Sequence, residues 1–246
     1  LFAYVLNPLL GIAQVVTRLG LMDAGLLAQA QFGFGLGDMT TTQSLNLKAD
    51  NINIQGVGQN SDVTLVAANV DAANKATIAA NGDVTIASGE NRTTHEWTTT
   101  NKDCNWWGKC TTTVTHGLED KTTQVGSDIK GGTVEISAGK NLTTVASTIE
   151  SPGNVSLSAQ GTIDYQAALN VDKKEVQSNS SSSWMGIDMK WLTAKPTDKE
   201  TKDSSIQTRA ATTSLQSEAD ILSESGGSTR LQGTQVKAGT FTVNAG

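Results

Sequence analysis

Between Gly131 and Gln160 the sequence GGTVEISAGKNLTTVASTIESPGNVSLSAQ alternates apolar and polar residues, and it does so twice. Val134, Ile136 and Ala138 recur 21 residues later as Val155, Leu157 and Ala159, with Glu135 and Ser137, or Ser156 and Ser158, between them. A period of two predicts a strand with one buried face. A second alternating run, from Leu142 through Thr144 towards Ile149, fills most of the gap. Short strands recurring at about 20 residues predict a solenoid.

The spacing extends both ways. Val63-Thr-Leu65-Val-Ala67 and Val84-Thr-Ile86-Ala-Ser88 are again 21 apart, Leu45 to Ala49 precedes them, and Phe241 to Ala245 repeats the triplet. We read all of these as one register. Ile129, Ile149 or Val236 sits five or six residues ahead of a triplet, with Gly132, Gly153 or Gly239 between. Glycine suits such a corner because it tolerates positive φ. Strands stacked at a fixed offset predict an all-β parallel β-helix of about 20 residues per coil. In it Val63, Leu65, Val84, Ile86, Val134, Ile136, Val155 and Leu157 point inward. A propeller blade needs about twice this period, and a leucine-rich repeat many more leucines. The recurrent small Ala implies a narrow core.

Residues 1–37 break the pattern, being apolar and almost free of Thr. Asn7-Pro8 predicts a helix start, Leu9, Leu10, Ile12, Ala13, Val16 and Leu19 its apolar face, and Gly20 its stop; Asp23 would cap a second short helix through Ala30. We assign 1–42 as a partly helical capping or interdomain segment, since a bare end coil exposes unpaired edges and an open core. A membrane-active segment is the rival reading. Residues 43–246 form the β-helix, with 43–89 supplying two coils and the start of a third.

Two inserts interrupt the coils. The first, at about 90–124, is nearly symmetric about Trp106-Trp107-Gly108, with Thr98–Thr100 and Thr111–Thr113 on either side, and reads as a β-hairpin. The second, at about 172–213, runs through Ser180–Ser183 to Trp184 and Trp191, returns through a charged, Thr-rich stretch and reads as a second protruding β-hairpin. The inserts leave coils about two apart, near Gly89 and Val171. Their bases are then roughly 10 Å apart, close enough to lie side by side.

Composition narrows the function. Hydrophobic residues make up 37% and aromatics 4%, which suits a solenoid extended along one axis better than a globular enzyme core. The net charge is −6 and no basic cluster is present, which argues against nucleic-acid binding. No apolar run reaches the ~20 residues of a membrane-spanning helix. The chain starts at Leu1 without a basic leader or cleavage site, so we expect a piece of a longer protein.

The order of features is more specific than any coil. A Thr/Ser-rich insert with a Trp-Gly turn is followed by VGSDIKGGTVEISAGKNLTTVASTIESPGNVSLSAQGTIDYQAA and then by a Ser-rich run before Trp184-Met-Gly. This resembles the haemagglutinin repeats of filamentous haemagglutinin-like exoproteins of bacterial two-partner secretion, including the effectors of contact-dependent growth inhibition. The resemblance covers about residues 43–246 and is sharpest from Thr93 to Met189. It implies a right-handed parallel β-helix, exported through an outer-membrane two-partner-secretion transporter and folded at the bacterial outer surface. It also implies a fibrous stalk of an adhesin or toxin-delivery filament, and we expect it to be non-enzymatic and monomeric and to meet a receptor or glycan on a target or host cell. A carbohydrate-binding or polysaccharide-cleaving β-helix and a trimeric phage-type fibre are the alternatives.

Candidate sites follow. Cys104 and Cys110 flank the first tip, within reach of a cross-strand disulfide, and the implied export favours an oxidised pair. Free thiols are one alternative. A zinc site with His95 and His116 is another, which the pairing disfavours, because a hairpin joining 104 to 110 sets 116 opposite 98. Trp97, Trp106, Trp107, Trp184 and Trp191 all lie in the inserts. They are either a contact surface or packing of each hairpin onto the solenoid. Asp62 and Asp83 match at 21 residues, but Thr133 and Asn154 hold the places we align with them, so they read as corner residues. No catalytic set, metal or cofactor site is legible.

Overall fold

A computed structural model describes residues 39–104, 109–184, 187–188 and 199–246, and every regular element there is a β-strand. The helices and lid expected over residues 7–30 lie outside the described residues. β1 (Met39–Thr40) leads into a first coil of β2 (Leu45–Gly56) and β3 (Val63–Val66). The second coil is β4 (Ala68–Ala80) and β5 (Val84–Ala87). The first insert follows as β6 (Gly89–Cys104) and β7 (Lys109–Val125). The third coil is β8 (Asp128–Ala138) and β9 (Leu142–Val145), and the fourth β10 (Thr148–Ser151), β11 (Val155–Ala159) and β12 (Ile163–Gln166). The second insert is β13 (Ala168–Trp184), β14 (Ile187–Asp188) and β15 (Lys199–Ala211). The fifth coil is β16 (Thr213–Ser217), β17 (Asp220–Ser225) and β18 (Thr229–Leu231), and the sixth β19 (Thr234–Lys237) and β20 (Thr240–Ala245). This is a parallel β-helix.

The coils stack in register, like on like. Leu47, Val70, Ile129, Ile149, Leu215 and Val236 form one inward column. Ile52, Ala76, Val134, Val155, Ile221 and Phe241 form the next. Inside the middle coils these side chains are fully buried, as alternation with outward Ser, Thr and charged residues dictates. In the sixth coil Val236 and Val243 are more than a third exposed, because no further coil covers them among the described residues.

One expectation is corrected. Val63 and Val84 do not share a column with Val134 and Val155. They stack with Leu142 and Ile163 in a separate sheet of β3, β5, β9, β12 and β18. Both runs alternate and both repeat at one coil length, so spacing alone cannot tell two walls of the same coil apart. The aspartates move accordingly. Asp83 N–H donates to Asp62 Oδ1 at 2.7 Å, Asn141 N–H to Asp83 Oδ1 at 3.0 Å, and Thr162 N–H to Asn141 Oδ1 at 2.9 Å. The partners are Asn141 and Thr162, not Thr133 and Asn154, and the ladder ties one corner of four successive coils. It is corner chemistry, as the sequence reading held.

The core also admits a bulkier residue than the small-residue pattern predicted. Tyr165 is fully buried, and its hydroxyl lies 3.0 Å from Ser223 Oγ across the core. Ser223 sits where other coils carry Ile136 or Leu157, so a small polar residue opposite makes room for the ring and gives its hydroxyl a partner. Burial pushes the phenol up to about 12, with the Ser223 bond pulling the other way.

A second corner decides where inserts leave. Ala67, Ala146 and Gly233 occupy equivalent places after coils one, three and five, each with positive φ of 48°, 45° and 60°. There the chain turns straight into the next coil. After coils two and four the same corner opens into an insert. At the first, Ser127 Oγ donates to the Ala87 carbonyl at 2.8 Å; at the second, Thr213 Oγ1 donates to the Gln166 carbonyl at 2.6 Å. In both, the first residue back in the shaft is bonded to the last residue before departure. The structure is therefore a module of two coils and one insert, a longer period on top of the coil repeat. The first two coils accordingly end at Ala87, and the third begins only at Asp128.

Candidate functional site

The coil stack brings the two inserts together. β6 leaves coil two, β7 returns to coil three, β13 leaves coil four and β15 returns to coil five. Stacked coils are one strand spacing apart, about 4.8 Å. Four legs that alternate in direction at that spacing meet the conditions for an antiparallel sheet. They form one, in the order β6-β7-β13-β15, with β14 paired antiparallel to the last two residues of β13. The inserts are thus a single fin. The departing legs β6 and β13 lie two strands apart, the roughly 10 Å expected, and β7 fills the place between them as the direct partner of β13, because the returning leg of one insert and the departing leg of the next belong to adjacent coils. The hairpins pack on each other edge to edge. Residues 39–42, assigned to the capping segment, also join the fin: Met39 pairs with Thr93 and Thr40 with Arg92, and Thr42 Oγ1 donates to the Glu90 carbonyl at 2.8 Å.

Among the described residues the fin has no buried apolar cluster of its own, and polar pairs and one aromatic hold its register. On one face Thr111, Thr113 and Thr115 face Ser182, Ser180 and Ser178, with hydroxyl oxygens 3.5, 3.1 and 3.3 Å apart. At the base Gln124 Nε2 donates to Glu90 Oε1 at 3.0 Å, and Gln124 N–H to Asn170 Oδ1 at 2.6 Å, joining β6, β7 and β13. Arg92 bonds both oxygens of Asp120 at 2.9 and 2.7 Å, and this guanidinium holds the Asp120 carboxyl below its ordinary value.

The predicted residues fall as follows. Trp97 pairs with Gly117, and its indole fills the place where a side chain at 117 would stand, so it is half-buried against the fin and not against the shaft. Only glycine at 117 permits this. Cys104 and Cys110 are directly opposed and joined as a disulfide. Thr98 faces His116, and its Oγ1 lies 2.9 Å from Nδ1, while His95 faces Glu119. With the sulfurs bonded to each other, the described residues contain no group of three metal-ligating side chains. Trp184 ends β13 opposite Lys109. Trp106, Trp107 and Trp191 lie outside the described residues.

Sequence reasoning missed the groove. Glu96, Leu118, Glu175 and Ser204 form one cross-strand row, and Thr98, His116, Gln177 and Lys202 the next row on the same face. A groove of about 450 Å³ runs between these rows across all four strands. The intervening row, Trp97, Gly117, Val176 and Asp203, also lines it. Lys173 binds Glu175 at 2.7 Å, Lys202 binds Glu200 at 3.4 Å, and Gln177 Nε2 donates to Glu200 at 2.8 Å. Ile206 stands 62% exposed on this face, an apolar contact beside the polar walls. Donors, acceptors, both signs of charge and an apolar patch suit the recognition of an extended polar ligand. No row is legible from sequence, because each takes one residue from every leg of both inserts.

The family model described as hemagglutinin repeat matches residues 37–113 and 111–246, so it covers the shaft and both inserts. No curated protein and no solved structure matches the chain. With coils and inserts in this order and the match spanning most of the sequence, the chain belongs to the hemagglutinin-repeat family.

Proposed function

We propose that the chain is a non-enzymatic segment of a large, secreted, filamentous haemagglutinin-like exoprotein at the bacterial outer surface. The shaft is a spacer and the fin is its contact organ. One observation carries the assignment: two inserts 46 residues apart along the chain, from Gln124 to Asn170, are knitted into one sheet with a shared groove. The outer walls of the shaft carry Ser, Thr and scattered charges, several of them tied to one another from coil to coil, as Lys48 is to Asp71 and Lys75 to Glu135. The fin offers Glu96, His116, Gln177, Lys202 and Ile206, which no coil repeats. Export through a two-partner-secretion transporter and contact with a glycan or protein receptor on a target cell complete this reading, for adhesion or for delivery of a toxin carried elsewhere. The test compares attachment by cells bearing the parent protein, intact or with Leu118→Arg, at equal surface levels. Attachment should fall at least tenfold in the variant; equal attachment removes the fin from the function.

A second reading has one observation in its favour. Glu96, His116 and Glu175 line the groove, Glu96 and Glu175 two strands apart in one row, and a pair of carboxylates flanking a sugar can cleave glycosidic bonds. Glu175 is engaged by Lys173 and His116 by Thr98, which fits ligand recognition better than proton transfer. Polysaccharide cleavage by the purified chain, lost in Glu96→Gln and Glu175→Gln, would establish the enzyme in place of the contact organ.

A further inference from the structure

We propose that the outer edge of β15 is a docking edge for the departing strand of a further insert, one that leaves the shaft after a sixth coil. Three observations lead there. First, corners and inserts alternate: tight corners at Ala67, Ala146 and Gly233 follow coils one, three and five, and inserts follow coils two and four. Second, β15 is bonded on one side only among the described residues, leaving a 13-residue strand with an open edge. An edge that long is a template for pairing. Third, the fin already contains this junction once, where β13 docks on β7 over 14 residue pairs from Val171 to Trp184. At the other end β1, which enters coil one, covers β6 only at Arg92 and Thr93. The charges on β15 do not mark it as a terminal strand, since β13 carries Asp172, Lys173, Lys174 and Glu175 in the interior of the sheet.

The register is also determined. Coil five lies on coil three with Thr213 in the place of Ser127, which sets Thr201 where Thr115 stands. Thr115 faces Ser178. Thr201 should therefore face the residue equivalent to Ser178 in the docking strand. The fin becomes a ribbon along the shaft that gains one hairpin for every two coils.

The test extends the full chain. Gly246 occupies the position of Gln160, one residue past the paired Ala245, Ser225 and Ala159, so a copy of residues 161–231 appended after Gly246 continues the coil in phase. With Thr201→Cys in native β15 and Ser178→Cys in the appended copy alone, a disulfide should form in air, and one displaced by a single residue should not. Hydrogen exchange at the β15 amides that point away from β13 should slow at least a hundredfold in the extended chain. A folded extension without the link or the protection overturns the proposal. Should the extension fail to fold, a peptide with the sequence of residues 168–184, added to the native chain, supplies the strand in trans. Protection of β15 supports the proposal, and none at saturating peptide contradicts it. Concentration-dependent dimers of the native chain through β15 would assign the edge to a second copy, and so also overturn it.

Discussion

Ser127 Oγ donates to the carbonyl of Ala87 at 2.8 Å and accepts from the amide of Ala68 at 3.0 Å, though 40 and 59 residues separate the partners. The first insert begins and ends at this point. All three groups are in or beside the buried corner, so removing the hydroxyl strands an amide with no water to replace it. Ser127→Ala should cost about 1–3 kcal/mol by chemical denaturation. Thr213→Ser at the second insert keeps the bond to Gln166 and should cost less than half as much.

The tight corners predict the opposite sign. Ala146 has a φ of 45°, where an alanine is strained and a glycine is not. Ala146→Gly should be neutral or stabilising by up to about 1 kcal/mol, which is unusual for a buried Ala→Gly change. Gly233→Ala should destabilise by at least about 1 kcal/mol, because a Cβ there also meets the Cβ of Ala167 at 2.5 Å. Thermal unfolding of the pair separates them.

Tyr165 makes stability depend on alkaline pH. Its phenol titrates near 10 when unfolded and is pushed up to about 12 when folded, so folding favours the neutral form. The contribution is fully present below pH 10 and is lost as pH rises through about 12. It amounts to about 3 kcal/mol at full effect. Tyr165→Phe should flatten the stability curve between these values. It should also cost about 1 kcal/mol at neutral pH, where Ser223 loses its partner.

The disulfide stiffens the tip and should do little for the shaft. Cys104 and Cys110 close a loop of only a few residues, so Cys104→Ser with Cys110→Ser should cost at most about 2–3 kcal/mol. Far-ultraviolet circular dichroism of the coils should be unchanged, with the loss confined to faster exchange of β6 and β7 amides near the tip.

Parts of this architecture were legible in sequence and parts were not, for physical reasons. The Ile129–Ile149 and Val134–Val155 columns show because buried strands alternate. Val63 and Val84 were set in the wrong wall because two walls of one coil share the same length. The Ala67 and Ala146 corners are silent, since alanine is no turn signal. The first hairpin, and the facing of Cys104 and Cys110, shows in the symmetry about its tip, and the second in its similar order of a Ser-rich run, tryptophans and a Thr-rich return. The β7–β13 ladder does not, because it depends on coil pitch matching strand spacing. Tyr165 was passed over because its partner lies 58 residues away.

The central claim is that the grooved face of the fin, and not the shaft, makes contact. The direct measurement is binding of the purified chain to target cells or to arrayed glycans, comparing Leu118→Arg in the groove with Ser156→Arg on an outward shaft position. Leu118→Arg should weaken binding at least tenfold, with the strand signal and melting temperature unchanged, and Ser156→Arg should bind as the native chain does. Equal binding by Leu118→Arg, or a loss confined to Ser156→Arg, would contradict the account.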